Sequence, residues 1–175
     1  MSSSVAILLQ STGLGGLLLA AGEDLRARII RNQLALWVLG AGLASRLVVD
    51  GWASWLSAVT ALAVFVPLGL LVPRNVIGGG DAKMIAAATC LFEPTRVPQL
   101  LLAIALAGGA LAVTYMAVSR MFRSRWVGRP APSDERAPSP GLVEPKAART
   151  ASKTSIPFGV AIFAGSAFVF LQEAF

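Results

Sequence analysis

Long apolar runs, broken only briefly by charge, leave this chain few folds to adopt. Residues 5–22, 33–49, 52–72 and 99–119 each approach the roughly 20 residues that carry a helix across about 30 Å of hydrocarbon. Two further runs, at 80–92 and 156–174, complete the set. In lipid every backbone N–H and C=O must find its partner within the protein, which restricts the chain to helices or a closed barrel. The runs are continuous, without the period-two alternation of barrel strands, so the barrel is excluded. With 55% hydrophobic and only 14% charged residues, the composition agrees. The expected fold is all-α, a polytopic membrane helical bundle of about six transmembrane helices.

Residues 5–22 end in Ala20-Ala21-Gly22, a plausible signal-cleavage sequence, but no Lys or Arg precedes them, so the run reads as a retained helix. Pro73 stops the third run. The fourth is short and begins at a glycine run. Residues 128–155 differ in kind, being rich in Pro, Ala, Ser and mixed charge, and cannot bury enough apolar surface to offset ordering. The expected organisation is a membrane core at 1–127, a disordered cytoplasmic linker at 128–155 and a final helix at 156–175 belonging to the same core.

The net charge of +6 admits nucleic acid or anionic lipid as a partner, and its distribution favours lipid. With the amino terminus outside, Arg26, Arg28, Arg31, Arg74, Lys83 and all the basic residues of the long loop face the cytoplasm. Only Arg46 and Arg96 remain outside, as the positive-inside rule requires. A hairpin of two spans separates Asp24 from Asp81, so both acids return to the cytoplasmic face. Asp50 and Glu173 fall on the opposite face.

The absence of histidine and the presence of one cysteine, Cys90, remove several chemistries. A structural zinc site, a Cys–His pair and a Ser-His-Asp triad all lack parts, and no metal or other cofactor is expected. Carboxylates remain. An acid at membrane depth is costly and is by default a functional candidate. Asp24 closes one apolar run, and Asp81 follows Gly78-Gly79-Gly80. Two adjacent carboxyl groups share a proton, so one can take a proton from water while the other polarises a carbonyl. That is sufficient to cut a peptide bond. Glycines before Asp81 allow a tight backbone turn and a close-lying substrate strand. Each acid also has a purely structural reading as a helix cap, and Asn32 reads as the cap of the second helix. Lys83 either positions the loop or reaches the headgroups.

Gly78-Gly79-Gly80-Asp81-Ala82-Lys83 resembles the GxGD-x-K motif of type IV prepilin peptidases. The stretch from Asp24 through Arg26, Arg28 and Arg31 to Asn32 resembles their first motif, and Ile156-Pro157-Phe158-Gly159 the start of their last helix. The three stand in family order. The resemblance implies that Asp24 and Asp81 are the catalytic pair, supported by Gly78, Gly80, Lys83 and Asn32. It also implies a bacterial inner-membrane location and a site open to the cytoplasm. The implied substrate is a prepilin or pseudopilin, whose short basic leader is cut off before an apolar helix. Arg31 departs from the family's proline. The paired cysteines of the longer, methylating members are missing, so the chain looks like the short branch serving Flp/Tad-type pili. The competing reading is a membrane transporter or assembly subunit whose acids carry protons or hold structure.

Overall fold

The computed structural model describes residues 2–27, 31–74, 76–126 and 157–174. Arg28 and the expected linker at 128–155 lie outside the described residues. Among the described residues six α-helices follow one another: α1 (Ser2–Ala27), α2 (Asn32–Asp50), α3 (Trp55–Leu71), α4 (Gly79–Thr89), α5 (Val97–Trp126) and α6 (Phe158–Ala174). Short 3-10 turns at Gly51–Ser54 and Pro94–Arg96 lead into α3 and α5. The polytopic all-helical bundle expected from the apolar runs is therefore the observed architecture. Helices at Ser4–Ala27, Asn32–Leu71 and Pro94–Arg120 have the length and hydropathy to cross a bilayer, the second of these comprising α2, its turn and α3. The Phe158–Glu173 helix is apolar but shorter.

The helices overrun the apolar runs. α1 continues past Gly22 to Ala27, so Asp24 lies on the helix rather than in the loop after it. The chain divides into two units, 1–111 with 157–175, and 112–156. The first holds α1 to α4, the start of α5 and α6. The described part of the second is the remainder of α5, helical to Trp126.

Within the first unit α4 is the centre. Ala82 and every residue from Met84 to Thr89 are buried. A helix apolar on all sides belongs inside a bundle, and alanines let its neighbours close in. α1, α2, α3 and α6 all pack on it. Leu17 of α1, Val38 of α2, Leu100 of α5 and Ile162 and Val169 of α6 join Met84, Ala88, Leu91 and Phe92 in one core. Gly42 makes the closest approach possible: a Cβ there would lie 2.7 Å from the carbonyl carbon of Cys90. Gly165 does the same for α6, 2.6 Å from the Ile104 nitrogen. Gly13, Gly16 and Gly108 are also packed tightly, whereas nothing among the described residues lies within 4 Å of a Cβ at Gly15 or Gly109.

α4 has 11 residues, so its length is about 16 Å. Its last carbonyls are taken up by tightening turns to Cys90, Leu91 and Phe92, and the Gln10 amide donates to the Leu91 carbonyl at 2.8 Å. The α2–α3 corner depends on Gly51, whose φ of 59° and ψ of −130° suit only glycine. At this end of the bundle Arg46 pairs with Asp50 one turn on. Glu173 lies within electrostatic reach of Arg46, Glu93 and Arg96. These charges gather away from Asp24 and Asp81, as the charge pattern of the sequence requires.

Candidate active site

Asp24 sits in the last turn of α1 and is only 8% exposed. Unpaired, a carboxylate so placed would be costly, and the negative end of its own helix makes it more so. α6 supplies the remedy. The backbone N–H of Gly159, second residue of α6, donates to Asp24 Oδ2 at 2.7 Å. The first turn of any helix has N–H groups without intrahelical partners and a positive partial charge, so Asp24 meets both at once. Gly159 must be small for this contact, because a Cβ there would lie 3.1 Å from both Cβ and Oδ2 of Asp24.

Asp81 is half-buried in the first turn of α4. Gly78 is the N-cap, in an extended conformation, which makes Asp81 the third helical residue and not the cap itself. From that position its carboxylate turns back to the Gly78 backbone N–H, as an acid at this place in a helix commonly does. The glycine run is not needed for a left-handed turn: among the described residues only Gly51 has positive φ. Gly78 serves by leaving room, since a Cβ on it would lie 2.8 Å from Asp81 Oδ2. Gly80 occupies the turn between the cap and the acid.

The two carboxylates lie within electrostatic reach of each other. Each faces the amino-terminal end of a helix, Asp24 that of α6 and Asp81 that of α4. Such ends favour negative charge, and this offsets the mutual repulsion of two acids held close together. Two carboxyl groups so placed can act as base and acid on a molecule bound beside them.

Lys83 and Asn32 meet as well. Lys83 Nζ donates to Asn32 Oδ1 at 3.1 Å, tying the start of α4 to the start of α2. Asn32 is thus not the cap of α2. It is the first helical residue, and Arg31 occupies the cap position without a side-chain capping bond. Arg31 instead reaches Glu23 across the α1–α2 connection at 3.4 Å. Arg31 is largely exposed there, and exposed pairs of this kind contribute about 0–1 kcal/mol. The other carboxylate oxygen of Glu23 is buried without a hydrogen bond.

Asp24, Asp81, Gly78, Gly80, Lys83 and Asn32 all stand at the helix ends that meet at this end of the bundle. Gly159 was the contact that sequence reasoning missed. Its signal was present in Ile156-Pro157-Phe158-Gly159, which marks a helix start, but nothing local says which side chain that start will face.

No curated protein and no solved structure matches the chain. A model of the type IV leader peptidase family matches residues 12–113, a span that contains Asp24, Asn32, Asp81 and Lys83 and stops before α6. More than half of the chain fits that pattern. The protein belongs to the type IV leader peptidase family.

Proposed function

We propose that this membrane protein is an aspartyl endopeptidase that removes the basic leader from prepilins or pseudopilins, with Asp24 and Asp81 as the catalytic pair. The observation that carries the reading is the placing of these two carboxyl groups within electrostatic reach of each other, each facing a helix amino terminus, in a chain of leader-peptidase type. One carboxylate takes a proton from water, which attacks the scissile carbonyl. The other, protonated, donates to the carbonyl oxygen as it becomes tetrahedral. Collapse of that intermediate returns a proton to the departing amine, and the pair exchanges roles. The Gly159 N–H holds Asp24 in place through these exchanges, and the Gly78 N–H holds Asp81.

The charge pattern supports an inner-membrane orientation with this end of the bundle toward the cytoplasm, where leaders are exposed. The substrate, on this reading, is a leader followed by an apolar helix. The chain acts as the short, Flp/Tad-type form of the enzyme without a methylating domain, and residues 128–155 form a cytoplasmic linker outside the chemistry. Co-expression with each short, leader-bearing pilin precursor of the same genome tests the reading, with mature amino termini read by mass spectrometry. One precursor shortened at a single position, and left intact by the Asp24→Asn and Asp81→Asn variants, is the expected result. If no precursor is processed, the non-enzymatic membrane subunit becomes the better account.

A further inference from the structure

α2 and α3 both pack on α4 but touch each other little. They therefore diverge, and a groove of about 530 Å³ opens between them with α4 as its floor. Its polar lining residues are Asn32 and Lys83, at the end nearest Asp81, and the rest of the lining is apolar. Ala86, Ala87 and Cys90 form the floor. Leu36 and Leu62 stand on its two walls, 66% and 60% exposed, so the groove is open along its side.

We infer that this groove seats the apolar helix of the substrate, beginning a few residues after the bond to be cut. The inference rests on the peptidase reading and adds a binding site to it. Continuity is the first argument. Asp81 and Lys83 stand on opposite faces of the first turn of α4, so a chain with its scissile carbonyl at the acids crosses the amino terminus of that helix, about 10 Å wide, and reaches the mouth of the groove in about three extended residues. Length is the second. From Asn32 to Leu43 the α2 wall extends about 16 Å, which accommodates about 11 residues of a helical substrate. Shape is the third. An alanine floor lets another helix backbone come close, and in lipid such packing rather than hydrophobicity holds helices together.

Lys83 then has a defined task. Its ammonium carries three donors, of which the structure uses one on Asn32, leaving two for carbonyls of the extended segment around the scissile bond. A phospholipid also has an apolar tail, but it has no covalent link to a peptide bond at Asp81. The substrate helix has that link.

The test places a photoreactive residue at Leu39 or Leu62 in the full-length chain carrying Asp81→Asn, in membranes that contain the full-length precursor. The expected result is a cross-link to the precursor within about 15 residues after the scissile bond, with none from control positions Leu8 and Leu106, both exposed and away from the groove. Cross-links to lipid alone, to the leader side alone, or equally from the controls overturn the proposal. Cleavage by the unaltered enzyme is measured in parallel and reports on the peptidase reading by itself, so the two can fail separately. A second variant does not depend on cross-linking. Ala58→Trp projects from an exposed position on the α3 wall and should raise KM for the precursor about tenfold, with kcat changed less than about twofold. An unchanged KM in a normally inserted protein overturns the groove.

Discussion

The Gly159 backbone N–H donates to the Asp24 carboxylate across 135 positions of sequence, and this one bond joins the last described helix to the end of the first. Because the donor belongs to the backbone, no substitution other than proline removes it; a side chain can otherwise act only by steric displacement. A methyl group at Gly159 would press on Asp24 at 3.1 Å. We expect Gly159→Ala to lower kcat for leader cleavage about tenfold, with KM and membrane insertion nearly unchanged. A variant as active as the parent would show that Asp24 needs no such positioning.

Gly78 makes the corresponding demand at the other acid, with less room. A Cβ 2.8 Å from Asp81 Oδ2 forces the short side chain to another rotamer. Cleavage by Gly78→Ala should fall about 10- to 100-fold, more than for Gly159→Ala. Single-turnover assays on detergent-solubilised enzyme would separate this loss from weaker substrate binding.

Asp24→Asn and Asp81→Asn should each reduce cleavage at least about a hundredfold while the protein still inserts. An amide keeps the size but cannot accept the proton of water. Since the acids act together, the double variant should be little worse than either single one. Asp50→Asn and Glu173→Gln, at the other end of the bundle, should retain activity. Near-normal turnover by either site variant would end the two-aspartate mechanism.

The Lys83–Asn32 bond is exposed, so its loss should cost little stability, about 0.5–1 kcal/mol. Lys83→Ala and Asn32→Ala should slow cleavage a few-fold, and together should fall short of the product of their separate effects. A full product would mean that the two side chains act independently.

Orientation can be checked by labelling single cysteines in a Cys90→Ser background. Cys90 is the single cysteine of the sequence, so this background leaves no native thiol to react. Ser3→Cys should react with an impermeant reagent in intact cells and Ser139→Cys only after lysis. The reverse pattern would invert the protein and remove the cytoplasmic site.

The helices were legible in the sequence because lipid demands charge-free stretches, and residues 52–72 or 99–119 contain no other message. The approach of Asp24 to Asp81 was legible through a count of spans. What the residues did not disclose was contact chemistry. Gly78-Gly79-Gly80 suggested a turn, yet Gly78 is extended and matters for the space it leaves beside Asp81. Asn32 had the composition of a cap, but the tertiary pull of Lys83 directed its side chain elsewhere. The Gly159 contact depends on how α6 lies against α1, and no local rule encodes that.

The shortness of α4 has a consequence for the lipid around it. With Glu93 kept in water at one surface, the rise from Phe92 back to Asp81 is only about 17 Å, roughly half the hydrocarbon thickness. On the peptidase reading proposed above, hydrolysis at Asp81 consumes water, which must then be admitted to that depth. Thinning of the surrounding bilayer, or tilt of the longer helices, closes that gap at a cost that grows with each added methylene of the acyl chains. Acyl-chain length thus becomes a control on the enzyme: reconstituted into progressively thicker phosphatidylcholine bilayers, it should turn over its precursor progressively more slowly.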